Sequence, residues 1–294
     1  MKKSRRFTQV DVFANRPGAG NPLAVVLDAE GLDDATMQAI AAWTRLPETT
    51  FVFPPPHAGV SYGLRIFSPR REVPFAGHPS VGTAHAVLEA GLATPVNGQL
   101  IQSGIAGDLP LTVKGEGPTR TIAIRTPRAS QLRLGQPEDT ALMQAIQGVP
   151  LGTLPPVLMD GGRRWWLVEV ENEAALRTAT PNWDAIARLA EETQSMGVFA
   201  YARSEDPVYY YAVRAWVGAP ARFEDAASGA ANAVLAAWLG SQKAIPGDGH
   251  FYRVSQGREV GHDAVLELTV DDAGDVWSGG RVCTVVDGQI DWRS

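Results

Sequence analysis

Ser80 to Leu92 reads SVGTAHAVLEAGL and Ala227 to Leu239 reads ASGAANAVLAAWL, and the relation between the two decides the fold. A shift of 147 residues lays Gly82 on Gly229, Ala84 on Ala231 and Ala86 on Ala233. Val87, Leu88, Ala90 and Leu92 then fall on Val234, Leu235, Ala237 and Leu239, seven identities in thirteen. Two Ala-rich helices can agree that well by chance, so the flanks must decide. Ala39-Ile40-Ala41 in one predicted helix falls on Ala185-Ile186-Ala187 in another at a shift of 146. Each of those helices leads into an apolar strand, Thr50 to Phe53 or Gly197 to Tyr201, and then a second strand, Tyr62 to Phe67 or Tyr209 to Trp216. A polar or Gly-rich loop and the Ala-rich helix follow in both halves. The same elements in the same order at a nearly constant offset mean a duplicated lobe, since a solenoid would repeat every ~20–50 residues.

Each lobe reads as short strands of alternating or buried pattern with one apolar helix. Val81 to Leu92 carries Val81, Ala84, Val87, Leu88 and Leu92 with few charges, and Ala230 to Leu239 is alike, so most of each helix surface is expected to be buried. A helix apolar nearly all round and flanked by strands implies a sheet wrapped around it, an α+β fold of two pseudo-symmetric lobes. Arg128 to Val149, punctuated by Pro127, Pro137 and Pro150, is the expected connection and holds one helix, Glu138 to Gln147. The lobes are then residues 1–127 and 128–294, with the last strand able to return to the first lobe. The active site is expected in the cleft between them.

Composition narrows the function classes. At 294 residues the chain can bury roughly 75% of its unfolded surface and needs no staples. Apolar residues make up 45% and charged residues 20%, as in ordinary soluble proteins. A net charge of −6 gives no encouragement to a nucleic-acid partner. Cys283 is the one cysteine, which excludes an internal disulfide and a Cys-rich zinc site. The start is basic (Met1 to Arg6), but Phe7 to Phe13 alternates like a strand and forms no signal core. No apolar run approaches the ~20 residues of a membrane span, so a cytoplasmic protein is expected.

Both apolar helices begin after loops of small residues. The first loop is Phe75-Ala76-Gly77-His78-Pro79-Ser80, with Ser80 expected as N-cap. The second is Glu224-Asp225-Ala226-Ala227-Ser228-Gly229, with Ser228 or Asp225 in that role. Free N–H groups at such starts bind carboxylate or phosphate, so an anion is expected near Gly77 to Ser80 or near Ser228, Gly229 and Ala230. Under the 147-residue shift His78 becomes equivalent to Asp225, an imidazole and a carboxylate at matching places. Glu48 lies at a helix-to-strand corner between Pro47 and Thr49-Thr50-Phe51. A carboxyl in that apolar company would have a raised pKa, as a general acid–base needs, although an exposed corner glutamate fits the pattern equally. The same shift gives Glu48 no acidic twin, only Ser195. Arg70 and Arg71 stand beside the first loop, either steering an acidic substrate or simply solvated.

The chain resembles the PhzF-like phenazine-biosynthesis isomerases, relatives of diaminopimelate epimerase. The likeness runs through Phe7-Thr8-Gln9-Val10-Asp11-Val12-Phe13, Gly20-Asn21-Pro22, Glu48-Thr49-Thr50-Phe51-Val52 and Arg65-Ile66-Phe67-Ser68-Pro69. It is most specific at Glu72-Val73-Pro74-Phe75-Ala76-Gly77-His78-Pro79, and it closes with Glu224 to Gly229 and Ser255-Gln256-Gly257-Arg258. The resemblance implies two lobes, each a barrel-like, mostly antiparallel sheet around a central helix, and a homodimer. It implies a cofactor-free isomerisation of a small carboxylate such as trans-2,3-dihydro-3-hydroxyanthranilate. Glu48 matches the proton-shuttling glutamate, and His78 and Asp225 match residues that hold substrate. The epimerase relatives carry a cysteine in each lobe, and neither loop here has one. Phenazine-type enzymes have a serine five residues after the aspartate, where this chain has Ala230; Ser228 stands at the family's threonine or serine position.

The remaining residues support a cofactor-independent reading. Gly18-Ala19-Gly20-Asn21-Pro22 turns into a strand, not into the helix that a nucleotide loop requires. Lys2, Lys3, Lys114 and Lys243 sit in no motif suited to a Schiff base. His57, His78, His85, His250 and His262 show no metal-ligand spacing, and His85 reads as helix packing. Two other readings stay open. One is an epimerase or racemase acting on another amino-acid-like acid; the other is a catalytically silent protein that binds a small carboxylate.

Overall fold

The computed structural model describes residues 3–292, so Met1 and Lys2 of the basic start lie outside the described residues. The chain divides into two units, one running to Arg125 and resumed from Gly279, the other spanning Thr126–Ser278. The first unit opens with β1 (Lys3–Val12), β2 (Asn21–Val26), α1 (Asp34–Thr44), β3 (Glu48–Phe53), β4 (Tyr62–Phe67) and β5 (Glu72–Val73). It continues with α2 (Gly77–Glu89), β6 (Gln99–Gly104), β7 (Gly107–Lys114) and β8 (Thr121–Arg125). The second unit begins with β9 (Ser130–Leu134), α3 (Thr140–Ala145), β10 (Val157–Asp160), β11 (Arg164–Glu169), α4 (Glu173–Thr178) and α5 (Trp183–Thr193). Then come β12 (Gly197–Arg203), β13 (Tyr211–Val217), β14 (Phe223–Asp225), α6 (Gly229–Ser241), β15 (Phe251–Gln256) and β16 (Ala264–Val270), and β17 (Val276–Gly280) runs across the boundary at Ser278. The last strand, β18 (Val282–Trp292), lies antiparallel to β1. No helix among the described residues is long and apolar enough to cross a membrane.

The two units pair their strands in the same way, each by itself. In the first, β2 is parallel to β3, β3 antiparallel to β4, β4 antiparallel to β5 and parallel to β6, and β6 antiparallel to β7. In the second, β11, β12, β13, β14, β15 and β16 repeat that series of relations. Parallel neighbours need a crossover. α1 and α2 supply the crossovers in one unit, α5 and α6 in the other. The fold is α+β, a mostly antiparallel sheet around one helix in each unit.

α2 is buried from Gly77 to Val87 because β1, β2, β3, β8 and β18 surround it. Approach is closest at Gly82, where a Cβ would lie 2.6 Å from Leu23 Cδ2 and 2.7 Å from Val12 Cγ2. α6 is likewise buried along most of its length, against β10, β11 and β16. The crossovers α1 and α5 end alike. Asp33 and Asn182 cap their starts by accepting from Thr36 N and Ala185 N, and Arg45 and Gln194 close them in left-handed conformation.

These caps correct the offset of the duplication. Asp33 falls on Asn182 and Arg45 on Gln194 at 149 residues, and the β3–β4 and β12–β13 registers agree with that shift. The helix starts Gly77 and Gly229 are 152 residues apart. Shifts of 146 and 147 therefore slide one helix along its twin by three residues and the other by five. A three-residue slide returns close to the same helix face, and a five-residue slide goes unpunished because α2 and α6 are apolar nearly all round. Two equivalences change with it. His78 is the twin of Ala230, while Asp225 is the twin of Val73: Asp225 pairs with Ala215 as Val73 pairs with Ile66. The twin of Glu48 is Gly197, not Ser195. Gly197 has φ +141°, and a Cβ there would overlap Trp216 O.

The segment 128–149 is also more than a connection. β9 pairs antiparallel with β10, and Leu142 and Ala145 of α3 pack with Ile186 and Leu189 of α5 in the second unit's core. The helix there is shorter than Glu138 to Gln147.

Candidate active site

In the first unit the chain leaves α1 through the left-handed Arg45, and Pro47 turns it into β3, so Glu48 is the first strand residue, beside Leu23 of β2. Thr50 Oγ1 and Thr83 Oγ1, both buried and 2.8 Å apart, fasten β3 to α2. α2 begins at Gly77 after Ala76, which offers no side-chain cap. Its first-turn N–H groups at Gly77 and His78 have no acceptor within the helix. His78 Nε2 lies 3.4 Å from Glu48 Oε2, with side chains only 10% and 17% exposed. That nitrogen makes no hydrogen bond. Burial pushes the His78 imidazole down to about 3, so at neutral pH an uncharged ring stands beside the Glu48 carboxyl group.

Ser80 does not cap α2. The helix starts three residues earlier, and Ser80 Oγ donates to Ala76 O at 3.0 Å and accepts from Gln102 Nε2 at 2.9 Å. Its hydroxyl ties β6 to the helix. Arg70 and Arg71 are exposed in the turn from β4 to β5, where Ser68 Oγ accepts from both backbone N–H groups. Just before that turn Arg65 grips Glu72 through two hydrogen bonds of 2.6 and 2.7 Å.

The second unit repeats the grip with deeper burial. Arg214 holds Glu224 at 2.9 and 2.8 Å, each side chain 5% exposed. The next residue is Asp225, half-buried, whose Oδ1 accepts from Ala227 N at 3.2 Å. Burial pushes its carboxyl above the usual range, and the Ala227 bond and the charges of Arg163 and His262 oppose that rise. Ser228 is the N-cap of α6, accepting from Ala231 N at 3.3 Å. Gly229 and Ala230 form the first turn and leave N–H groups without intrahelical acceptors. Behind the loop stands Gln256, wholly buried, which accepts from Ser228 N and Asn232 Nδ2 and donates to Asp225 O.

Sequence reasoning missed Thr50, Thr83, Gln102, Asn232 and the role of Gln256. A signal existed for Gln256, as a polar residue closing an apolar strand directly before Gly257. The others carry no mark that separates them from ordinary helix and strand polar residues.

Comparison with known proteins identifies the family. The family described as phenazine biosynthesis-like protein matches residues 10–288. Antisense-enhancing sequence 1 of Schizosaccharomyces pombe is 32% identical over 293 residues, covering 96% of this chain and 97% of its own. A trans-2,3-dihydro-3-hydroxyanthranilate isomerase of Pseudomonas aeruginosa is 29% identical over 271 residues, covering 92% of each. Among solved structures, a Bacillus anthracis phenazine biosynthesis protein of the PhzF family superposes with a TM-score of 0.83 at 25% identity, covering 98% of this chain and 99% of its own. With a match over nearly its whole length, the chain belongs to the phenazine biosynthesis-like (PhzC-PhzF) family and is an isomerase.

Proposed function

We propose that this isomerase moves a proton within a small carboxylate substrate, such as trans-2,3-dihydro-3-hydroxyanthranilate, without a cofactor and with Glu48 as the single general acid–base. The observation that carries the reading is the pairing of Glu48 with a buried His78 whose ring stays neutral, 3.4 Å away. A neutral imidazole does not weaken the carboxylate as a base in the way a neighbouring imidazolium charge would, which suits a group that must take a proton from carbon. The ring still offers substrate one donor and one acceptor. Gly197 at the twin position supplies no second base. A single base takes and returns the proton on one face, which suits an allylic shift and does not invert a stereocentre. Asp225 and the N–H groups of Gly77, Gly229 and Ala230 would hold the substrate's polar groups, with Ser80 and Ser228 shaping the two helix starts.

Epimerisation by two thiols is disfavoured, because the chain has one cysteine, Cys283, on β18 opposite Asp11 of β1. The test is turnover of trans-2,3-dihydro-3-hydroxyanthranilate by wild type and by Glu48→Gln. The variant keeps the shape and should lower kcat by ~10²–10⁴-fold with little change in KM. Substrate deuterated at the donor carbon should return part of the label at the acceptor carbon in light water. Native-rate turnover by Glu48→Gln would remove Glu48 from the chemistry.

A further inference from the structure

We propose that Gln256 is the positioning residue of Asp225, one buried amide that fixes both the aspartate's backbone and the start of α6. The inference rests on the substrate-binding role proposed for Asp225. Gln256 closes β15 and has no exposed surface. Its Nε2 donates to Asp225 O at 2.9 Å, and its Oε1 accepts from Ser228 N at 3.1 Å and from Asn232 Nδ2 at 2.9 Å. Asn232 Nδ2 also donates to Ser228 O at 2.9 Å. This network sets the direction of the amide. Two donors face Oε1 and one carbonyl faces Nε2, so a flipped amide would set donor against donor twice and acceptor against acceptor once.

The segment from Asp225 to Asn232 is thereby held at three points by one side chain. Its other sides are closed as well. Gly257 follows at φ +93°, and a Cβ there would overlap Ala226 O and lie 3.0 Å from His262 Cβ. The residue before Asp225 is Glu224, gripped by Arg214. The residue before Gln256 is Ser255, whose Oγ accepts from Arg177 Nη2 at 2.9 Å, and Arg177 in turn holds Glu173 and Glu259. Both neighbours are thus anchored by ion-paired arginines, Glu224 directly and Ser255 through its hydroxyl, and the amide of Gln256 spans the gap between them.

The position equivalent to Gln256 in the first unit, 152 residues earlier, is Gly104, which has no side chain to make this clamp. There Gln102 donates to Ser80, inside the helix, and accepts from Tyr62 OH at 3.5 Å. The clamp on the loop backbone belongs to the unit that carries Asp225. It would serve binding, because a carboxylate placed about 1 Å off its target costs ~10²-fold in rate.

Gln256→Met keeps the side chain's length and removes every bond, whereas Gln256→Glu keeps the acceptor contacts and loses the donor to Asp225 O. Arg253→Gln, on the same strand but in a half-exposed pair with Glu267, is the control. Two readouts are taken on the full chain. The first is the titration of the Asp225 carboxyl by carbon-13 NMR without substrate, assigned with Asp225→Asn. In folded Gln256→Met it should move toward the ordinary carboxylate range, while Arg253→Gln should titrate as wild type. The second is kinetics with trans-2,3-dihydro-3-hydroxyanthranilate, where kcat/KM should fall about 10²-fold, mainly through KM. Gln256→Glu should fall between the two and carries the comparison if Gln256→Met does not fold. An unchanged Asp225 titration in a folded variant, or an unchanged KM in an active one, overturns the proposal. A moved titration in a protein whose wild type never turns this acid over supports the clamp and sinks only the choice of substrate.

Discussion

Replacing His78 by Gln and following stability against pH tests the protonation state on which the chemistry rests. Burial holds the folded imidazole at about 3, against ~6.5 for an unfolded chain. Because the folded value lies below the unfolded one, the unfolded state binds the extra proton. Stability from the neutral ring is therefore full above ~6.5 and is lost as pH falls from there toward the folded value. Between about pH 8 and about pH 5 the loss from this residue is 2.303RT times log(1 + 10^1.5), or about 2 kcal/mol. That figure barely depends on the folded value while it stays well below 5. Urea unfolding of wild type and His78→Gln at both pH values reads it directly, and wild type should lose about 2 kcal/mol more than the variant on acidification. Repeating the pair in a Glu48→Gln background removes the neighbouring carboxyl's own titration from the comparison. Equal losses would mean that folded His78 takes up its proton as readily as the unfolded chain, a smaller loss in wild type would mean an imidazolium stabilised in the fold, and either would end the argument from a neutral ring.

Other perturbations read other parts of the structure. Gly82→Ala should destabilise by ~1–3 kcal/mol in thermal or urea unfolding, since the added methyl meets Leu23 and Val12 at 2.6 and 2.7 Å. Glu224→Ala should cost ~3–5 kcal/mol by leaving the Arg214 guanidinium buried without its partner. The exposed pair Arg222–Asp184 is the contrast, and Asp184→Ala should change stability by less than about 1 kcal/mol. Burial and the nearby Asp11 push the Cys283 thiol up. Alkylation should therefore be slow at neutral pH and leave turnover intact, and a rate that fell in step with labelling would contradict this.

The duplication was legible because both halves repeat strand, helix and loop in order, but its offset was not. Helices rich in Ala, Val and Leu match themselves after a slide of a few residues, whereas caps and strand registers do not. Asp33 and Asn182 fix the offset at 149. It grows to 152 because Arg65 and Glu72 are seven residues apart and Arg214 and Glu224 ten. The equivalence of His78 with Asp225 comes from the five-residue slide of one Ala-rich helix along the other. Glu48 is legible as a carboxylate at a helix-to-strand corner and His78 as a residue of the loop that opens an apolar helix, and folding brings them to 3.4 Å. Ser80 reads as a cap because the residue type suits one, yet α2 starts three residues earlier, with Pro79 tolerated in its first turn. Gln256 lies 31 residues from Asp225, beyond any local pattern.

Gly197 also limits what substitution can add to this chain. An acid placed there would have to adopt φ +141° and displace Trp216 O, which is bonded into the β12–β13 ladder. Gly197→Glu alone would break the hairpin before it could add chemistry. Under the proposed single-base reading, substitutions elsewhere can change what is held and where the proton lands, but a second base at this position requires a rebuilt strand.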